Sequence, residues 1–162
     1  MHPDIQFHIQ PFSADKIDEG AHKFSAFTAS VLQLRPESAG HLELTSAHMR
    51  DYPKIYPNYL ATKTDRDTIV EGVRITRRIT GMNPIAQHVT SEHQPGPSVG
   101  DGYDEILEWV RNTATTIYHP TGTCKMGVDD MAVVDPRLKV IGMEGLRGCR
   151  RICAKRPFCT AW

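Results

Sequence analysis

The sequence has no excess charge of either sign: 19 Lys and Arg balance 19 Asp and Glu, and the pI is about 7.1. That balance argues against a nucleic-acid-binding surface and against a charged tail as the working part. Nowhere does the chain approach the roughly 20 apolar residues that a bilayer-crossing helix needs, so no membrane span is expected. The opening stretch, MHPDIQFHIQPFSADK, lacks the basic n-region and apolar run of a secretory leader. A cytoplasmic location is the resulting expectation. No internal repeat or low-complexity tract appears. Of the four cysteines, Cys149, Cys153 and Cys159 crowd the C-terminus, and Cys124 stands alone. None shows the tight paired spacing of a zinc site, and no metal is expected.

What is present reads as a mixed α+β domain of mostly antiparallel strands with two substantial helices. Asp4–Gln10 alternates, with Ile5, Phe7 and Ile9 on one face, which is the period of a half-buried strand. Phe27–Leu34 is a second strand. Pro36 and Gly40 then punctuate a turn before a third alternating run, His41–Thr45, so this pair reads as a hairpin. Asp65–Met82 has helical spacing, with Thr64 or Asp65 as cap and Ile69, Val73, Ile79 and Met82 as its apolar stripe. Its arginines, Arg66, Arg74, Arg77 and Arg78, read as a solvated face, with an anion site as the sharper alternative. A Pro- and Gly-rich loop, Ser91–Gly102, leads to a second helix over Tyr103–Ile117, with Ile106, Leu107, Val110, Ala114 and Ile117 on one face. Pro120 ends it, which puts His119 at or just past a helix C-terminus. Short β-type runs follow at Ala132–Val134 and Leu138–Ile141.

The residues His119–Gly127, HPTGTCKMG, hold the chemistry. Imidazole is a natural proton acceptor near neutral pH. Gly122 and Gly127 permit tight turns and close approach of a flat ligand. On these residues alone, a general base, a metal ligand paired with Cys124, and a structural loop histidine all stay open.

This motif, followed by AVVDPRLKVIGMEGLR (Ala132–Arg147), resembles the C-terminal region of the glucose–methanol–choline (GMC) family of FAD-dependent alcohol oxidoreductases. PDIQFH (Pro3–His8), LRPESAG (Leu34–Gly40), PNYL (Pro57–Leu60) and DRDTIVEGVRITRRI (Asp65–Ile79) resemble the substrate-binding half of that family in the same order. The resemblance implies a small-molecule alcohol as substrate and FAD as cofactor. It implies that His119 takes the hydroxyl proton while hydride passes to the flavin. It also implies that His119, Pro120, Thr121 and Gly122 lie against the cofactor. Choline-like, aliphatic, aromatic and sugar alcohols all suit such a site.

Residues 1–147 are thus expected to be the substrate-binding part. The Gly-x-Gly-x-x-Gly fingerprint of the family's Rossmann-type FAD-binding part is missing, and that absent part is the natural packing partner. Alone, the chain is expected to be inactive. The alternative is a non-catalytic binding module, or a subunit that completes a flavin site on another chain. After Arg147 the likeness stops at one residue. Gly148–Trp162 is expected to be a frameshifted tail: codons for Gly-Cys-Arg-Arg-Ile-Cys, read one base on, yield Val-Ala-Asp-Ala-Ser, which suits the family pattern.

Overall fold

A computed structural model of the protein describes residues 3–15, 20–119, 121–148 and 160–161. The chain forms two compact units. The first comprises Met1–Leu34, Arg66–Thr116 and Ala161–Trp162; the second comprises Arg35–Asp65 and Ile117–Thr160. The mixture of small antiparallel sheets and helices is the expected α+β class.

In the first unit, β1 (Ile5–Gln10) and β2 (Thr28–Gln33) pair antiparallel along their full length, from Ile5 opposite Gln33 to Gln10 opposite Thr28. The connection between them is closed by the His22 N–H donating to the Ser13 carbonyl at 2.7 Å and by Thr28 Oγ1 donating to the Phe12 carbonyl at 2.9 Å. The alternation read from the sequence is only partly a burial pattern, since Ile9 is 64% exposed.

Helix α1 (Lys63–Thr80) turns Ile69, Val70 and Val73 inward, and α2 (Tyr103–Thr113) contributes Ile106, Leu107 and Val110. With Val31 and Leu32 of β2, these side chains make up the buried apolar core of this unit. The inward stripe of α1 is displaced toward its N-terminus from the expected one: Ile79 is 39% and Met82 59% exposed. Gly72 lies on the inward face, where an added Cβ would sit 2.7 Å from Val31 Cγ2. The two helices are tied by Tyr103, whose hydroxyl donates to Asp67 Oδ1 at 2.9 Å.

The second unit corrects the hairpin reading. β3 (His41–Glu43) pairs with β4 (Lys54–Tyr56) and not with β2. β1 pairs along the whole of β2, and the two-residue β5 (Thr160–Ala161) neighbours its other side. The segment that would have turned back is instead held at the start of α1. Asp65, 1% exposed, accepts the backbone N–H groups of Glu37 and Ser38 at 2.9 and 2.7 Å. Ser38 Oγ in turn accepts the N–H groups of Ala61 and Thr62. The helix cap is also corrected. Thr62 Oγ1 accepts the Asp65 N–H at 3.2 Å, so Thr62 caps a helix that starts at Lys63 and satisfies one of its orphan donors.

The later residues of this unit are knitted together around Val134, which is fully buried. The Lys125 carbonyl accepts from the N–H groups of Val133 and Val134, Gly127 donates to the Val134 carbonyl, and Ile141 donates to that of Val133. Isolated bridges join Met126 to Val134, Val134 to Val140, and Lys139 to Arg147. Asp135 Oδ1 accepts the N–H groups of Arg137 and Lys139, forming the turn that the Asp-Pro pair predicts. Gly142 and Gly145 take positive φ values of 80° and 74°, the left-handed region that glycine enters without steric cost. Lys125 Nζ reaches both carboxylate oxygens of Asp129, at 2.7 and 2.8 Å.

Three outcomes follow for stability. Asp65→Ala leaves two N–H donors without their acceptor and is expected to cost about 3 kcal/mol in urea unfolding; a change below about 0.5 kcal/mol would show that the carboxylate is dispensable. Gly72→Ala gains about 1 kcal/mol of helix propensity but forces a methyl group into Val31, at about 1–3 kcal/mol. The net effect is destabilising; in a Val31→Ala background, where the clash is gone, the same Gly72→Ala step should instead be stabilising relative to Val31→Ala alone. The Lys125 ammonium, by its hydrogen bonds, holds the Asp129 carboxyl below its ordinary pKa. A depressed carboxylate contributes stability above its unfolded-state pKa, and that contribution is lost as pH falls through the folded value. Carboxyl NMR titration should show Asp129 low in the wild type and returned upward in Lys125→Met.

Candidate active site

The chain re-enters the second unit at Ile117, just ahead of the motif HPTGTCKMG, which runs into the residues knitted around Val134. The expectation that His119 follows directly on a helix is corrected. α2 ends at Thr113, and Ala114, its C-cap, is extended with ψ 139°. Side chains draw the helix to a close: Asn112 Nδ2 returns to the Glu108 carbonyl and Thr113 Oγ1 to that of Trp109. Thr115, Thr116 and Ile117 follow, a β-branched run with low helix propensity. His119 therefore follows a short stretch, residues 114–118, that belongs to no helix or strand.

Both ends of the motif's first turn lie in the left-handed region. Tyr118 has φ 61° and Gly122 has φ 94°. A positive φ is costly for a residue as bulky as tyrosine, and Tyr118 is 67% exposed, so no burial of its ring compensates. The backbone reversal at Tyr118 presents His119 as an exposed residue, while Thr121 and Gly122 are half-buried beside it. Pro120 lies outside the described residues. Cys124 is a half-buried free thiol, and the remaining cysteines lie outside the described residues, as does nearly all of the tail from Cys149 on.

From Lys125 onward the backbone is hydrogen-bonded into the cluster around Val134, whereas His119 is carried ahead of that cluster. The arrangement is an exposed imidazole on a short, sharply turned loop whose downstream end is fixed. Chemically it can offer one proton acceptor and, at Gly122, a backbone surface without a side chain to hold a planar ligand off.

The arginine face of α1 resolves differently. A cleft of about 470 Å³ is lined by Glu71, Arg74, Arg77, Arg78 and Asp101. Each of these guanidinium groups has a protein acceptor. Arg77 grips both oxygens of Glu92 at 2.9 Å, Asp101 Oδ1 at 2.7 Å, and the carbonyls of Val99 and Gly100. Arg74 donates to the Asp101 carbonyl, and Arg78 to Glu71. The hydrogen bond to Glu92, opposed by partial burial and aided by Asp101, holds Arg77 above its ordinary pKa. Arg74 and Arg77 clamp the loop over residues 92–101 to α1. With their charge met by Glu71, Glu92 and Asp101, they leave little attraction for an anion.

Sequence reasoning missed three groups. Asp65 was legible in the Thr62-x-x-Asp65 spacing of a capping box. The Arg77 clamp had no local signal, because its acceptors lie 15 to 24 residues away. Nor did the gathering of Asp15, His22 and His93, whose side-chain ligand atoms lie within 4.8 Å of one another. Among the described residues no helix is long and apolar enough to cross a membrane.

Comparison with known proteins bears on this arrangement. The profile of the GMC oxidoreductases matches residues 36–149. The mitochondrial choline dehydrogenase of Mus musculus is 44% identical over 150 residues, covering 90% of this chain and 25% of its own length. An alcohol dehydrogenase (acceptor) of Pseudomonas putida is 39% identical over 145 residues, covering 90% of this chain and 26% of its own. Among solved structures, pyridoxine 4-oxidase from Mesorbium loti matches 98% of this chain and 31% of that one, with a TM-score of 0.80; at 23% identity that likeness speaks to the fold alone. A formate oxidase matches 85% of this chain and 25% of that one, at a TM-score of 0.72 and 28% identity. The chain spans about a quarter of the length of these curated relatives. With the profile spanning most of the sequence, including the whole HPTGTCKMG motif, the chain belongs to the GMC oxidoreductase family.

Proposed function

We propose that this chain is the substrate-facing part of an FAD-dependent oxidoreductase that oxidises the CH–OH group of an alcohol, with His119 as the proton acceptor. The observation that carries this reading is the exposed His119, raised on a reversed backbone ahead of a hydrogen-bonded cluster, inside the segment matched to the family. A general base must reach the hydroxyl it deprotonates, and an exposed imidazole can do so once another surface encloses it.

The residues present suit a flavin. Its flat ring needs a close backbone approach, and Gly122, at φ 94° beside His119, offers one. Together with Thr121 and Pro120 these residues would hold the cofactor's reactive side. Bound FAD supplies the hydride acceptor. His119 takes the hydroxyl proton at an unprotonated ring nitrogen. Thr121 and Gly122 set the loop that aims it.

Residues 1–147 form the substrate-binding part on this reading, and a Rossmann-type FAD-binding part packs against them. The exposed apolar side chains of the second unit support that partner. Leu44, Met49, Tyr52 and Ile55 are each about two-thirds or more exposed, apolar surface that a packing partner would cover. The residues from 148 on are not needed for the reading, which is compatible with a tail read out of frame. The chain by itself is inactive. Choline is the first alcohol to test, since a relative 44% identical is a choline dehydrogenase.

The experiment uses the complete flavoprotein that contains this segment. His119→Gln should retain flavin but slow its anaerobic bleaching by the alcohol about 10²–10⁴-fold; bleaching at the wild-type rate would remove His119 from the reaction. The 162-residue chain should retain no flavin until the FAD-binding part is co-expressed. Stoichiometric FAD on the chain alone would overturn the division of labour.

A further inference from the structure

We propose that Asp15, His22 and His93 bind one divalent first-row transition ion of the Zn²⁺ class. The site uses none of the motif residues and stands apart from the alcohol chemistry.

The geometry is that of ligands awaiting an ion. His22 Nε2 lies 3.3 Å from Asp15 Oδ2, and His93 Nε2 lies 3.7 Å from Asp15 Oδ1. Two ligands of a tetrahedral ion with bonds near 2.1 Å are separated by about 3.4 Å. The two distances run to the two oxygens of one carboxylate, and the longer exceeds a hydrogen bond. All three ligand atoms lie within 4.8 Å of one another.

A supporting shell orients these ligands. Ser13 Oγ is 3.1 Å from His22 Nδ1, which engages the ring nitrogen that faces away and leaves Nε2 for the ion, the arrangement that metal-bound histidines usually have. Gln94 Nε2 donates to Asp15 Oδ1 at 2.7 Å, as ligating carboxylates commonly accept from a neighbour. Phe24 stacks on the His22 ring at 4.7 Å and meets the His93 ring edge-on at 5.2 Å, so one aromatic side chain restrains both imidazoles. The His22 N–H bond to the Ser13 carbonyl closes the loop that brings Asp15 and His22 together.

The donor set decides the class of ion. Two imidazoles and one carboxylate suit Zn²⁺ and its first-row neighbours. Mg²⁺ and Ca²⁺ prefer oxygen throughout. Asp15 and His93 are about half exposed, so water reaches the remaining coordination positions and the ion has a path in. Bound there, the ion would staple the loop after β1 to the segment that precedes Pro95. A plain surface cluster of histidine–carboxylate pairs is the competing description, and it predicts no stoichiometric affinity.

The test titrates the metal-stripped complete protein with Zn²⁺ against a chromophoric chelator, and with Co²⁺ for its visible absorption. One ion per chain, bound at micromolar or tighter affinity, is expected. His22→Ala and His93→Gln should each weaken binding at least about tenfold, and Ser13→Ala by about tenfold, with far-UV circular dichroism unchanged. His119→Ala and Cys124→Ser should leave it as it was. Binding no tighter than that of the His22→Ala/His93→Gln double variant overturns the proposal, and so does loss of the ion in Cys124→Ser, which would place it at the motif.

Discussion

The placement of the motif depends on one set of backbone hydrogen bonds, those that close around Val134. A fully buried valine cannot leave its own peptide groups unpaired without cost. Here the Val134 N–H goes to Lys125 and its carbonyl accepts from Gly127. Both partners belong to the HPTGTCKMG segment, so burying this one side chain fixes the downstream half of the motif. The upstream half, with His119, then has its path narrowed to a turn of a few residues. That turn is made at a cost in backbone conformation at Tyr118. Burial, hydrogen bonding and strain are thus linked in sequence, and the exposed imidazole stands at the end of that series.

The first unit is organised by different means. Its core is a conventional apolar contact of β2, α1 and α2, and its polar surface is held down by a single guanidinium with four protein partners around it. A lysine could supply the charge there but not the planar set of donors. The apparent anion site is therefore a neutralised clamp, in which the number of acceptors matters more than the count of arginines.

Much of this was legible in the sequence where the signal is periodic. β1, β2 and both helices follow from alternation or helical spacing, because those patterns report one-sided burial. What stayed hidden depended on distant residues. β3 looks like the return arm of a hairpin locally, yet it pairs with β4, while the turn before it is held by Asp65. α2 was read four residues too long because Ala114 and Ile117 continue its apolar face, while the capping bonds of Asn112 and Thr113 have no hydrophobic signature. Asp65 was read as a possible cap of the helix and is instead buried, accepting two N–H groups from a distant turn. The geometry of the motif was not legible: no periodicity predicts the left-handed turn at Tyr118.

The hydrogen bonds around Val134 have a consequence for how this part of the molecule can change over time. Peptide groups bond alike whatever side chain they carry. Val128, Met131 and Met143 project into solvent from a backbone whose course is set by its own amides and carbonyls. Substitution at such positions alters the surface without moving the loop beneath it. Variation in what the outer face touches is thereby uncoupled from the position of His119, and a lineage can revise its contacts there while inheriting the same presentation of the imidazole.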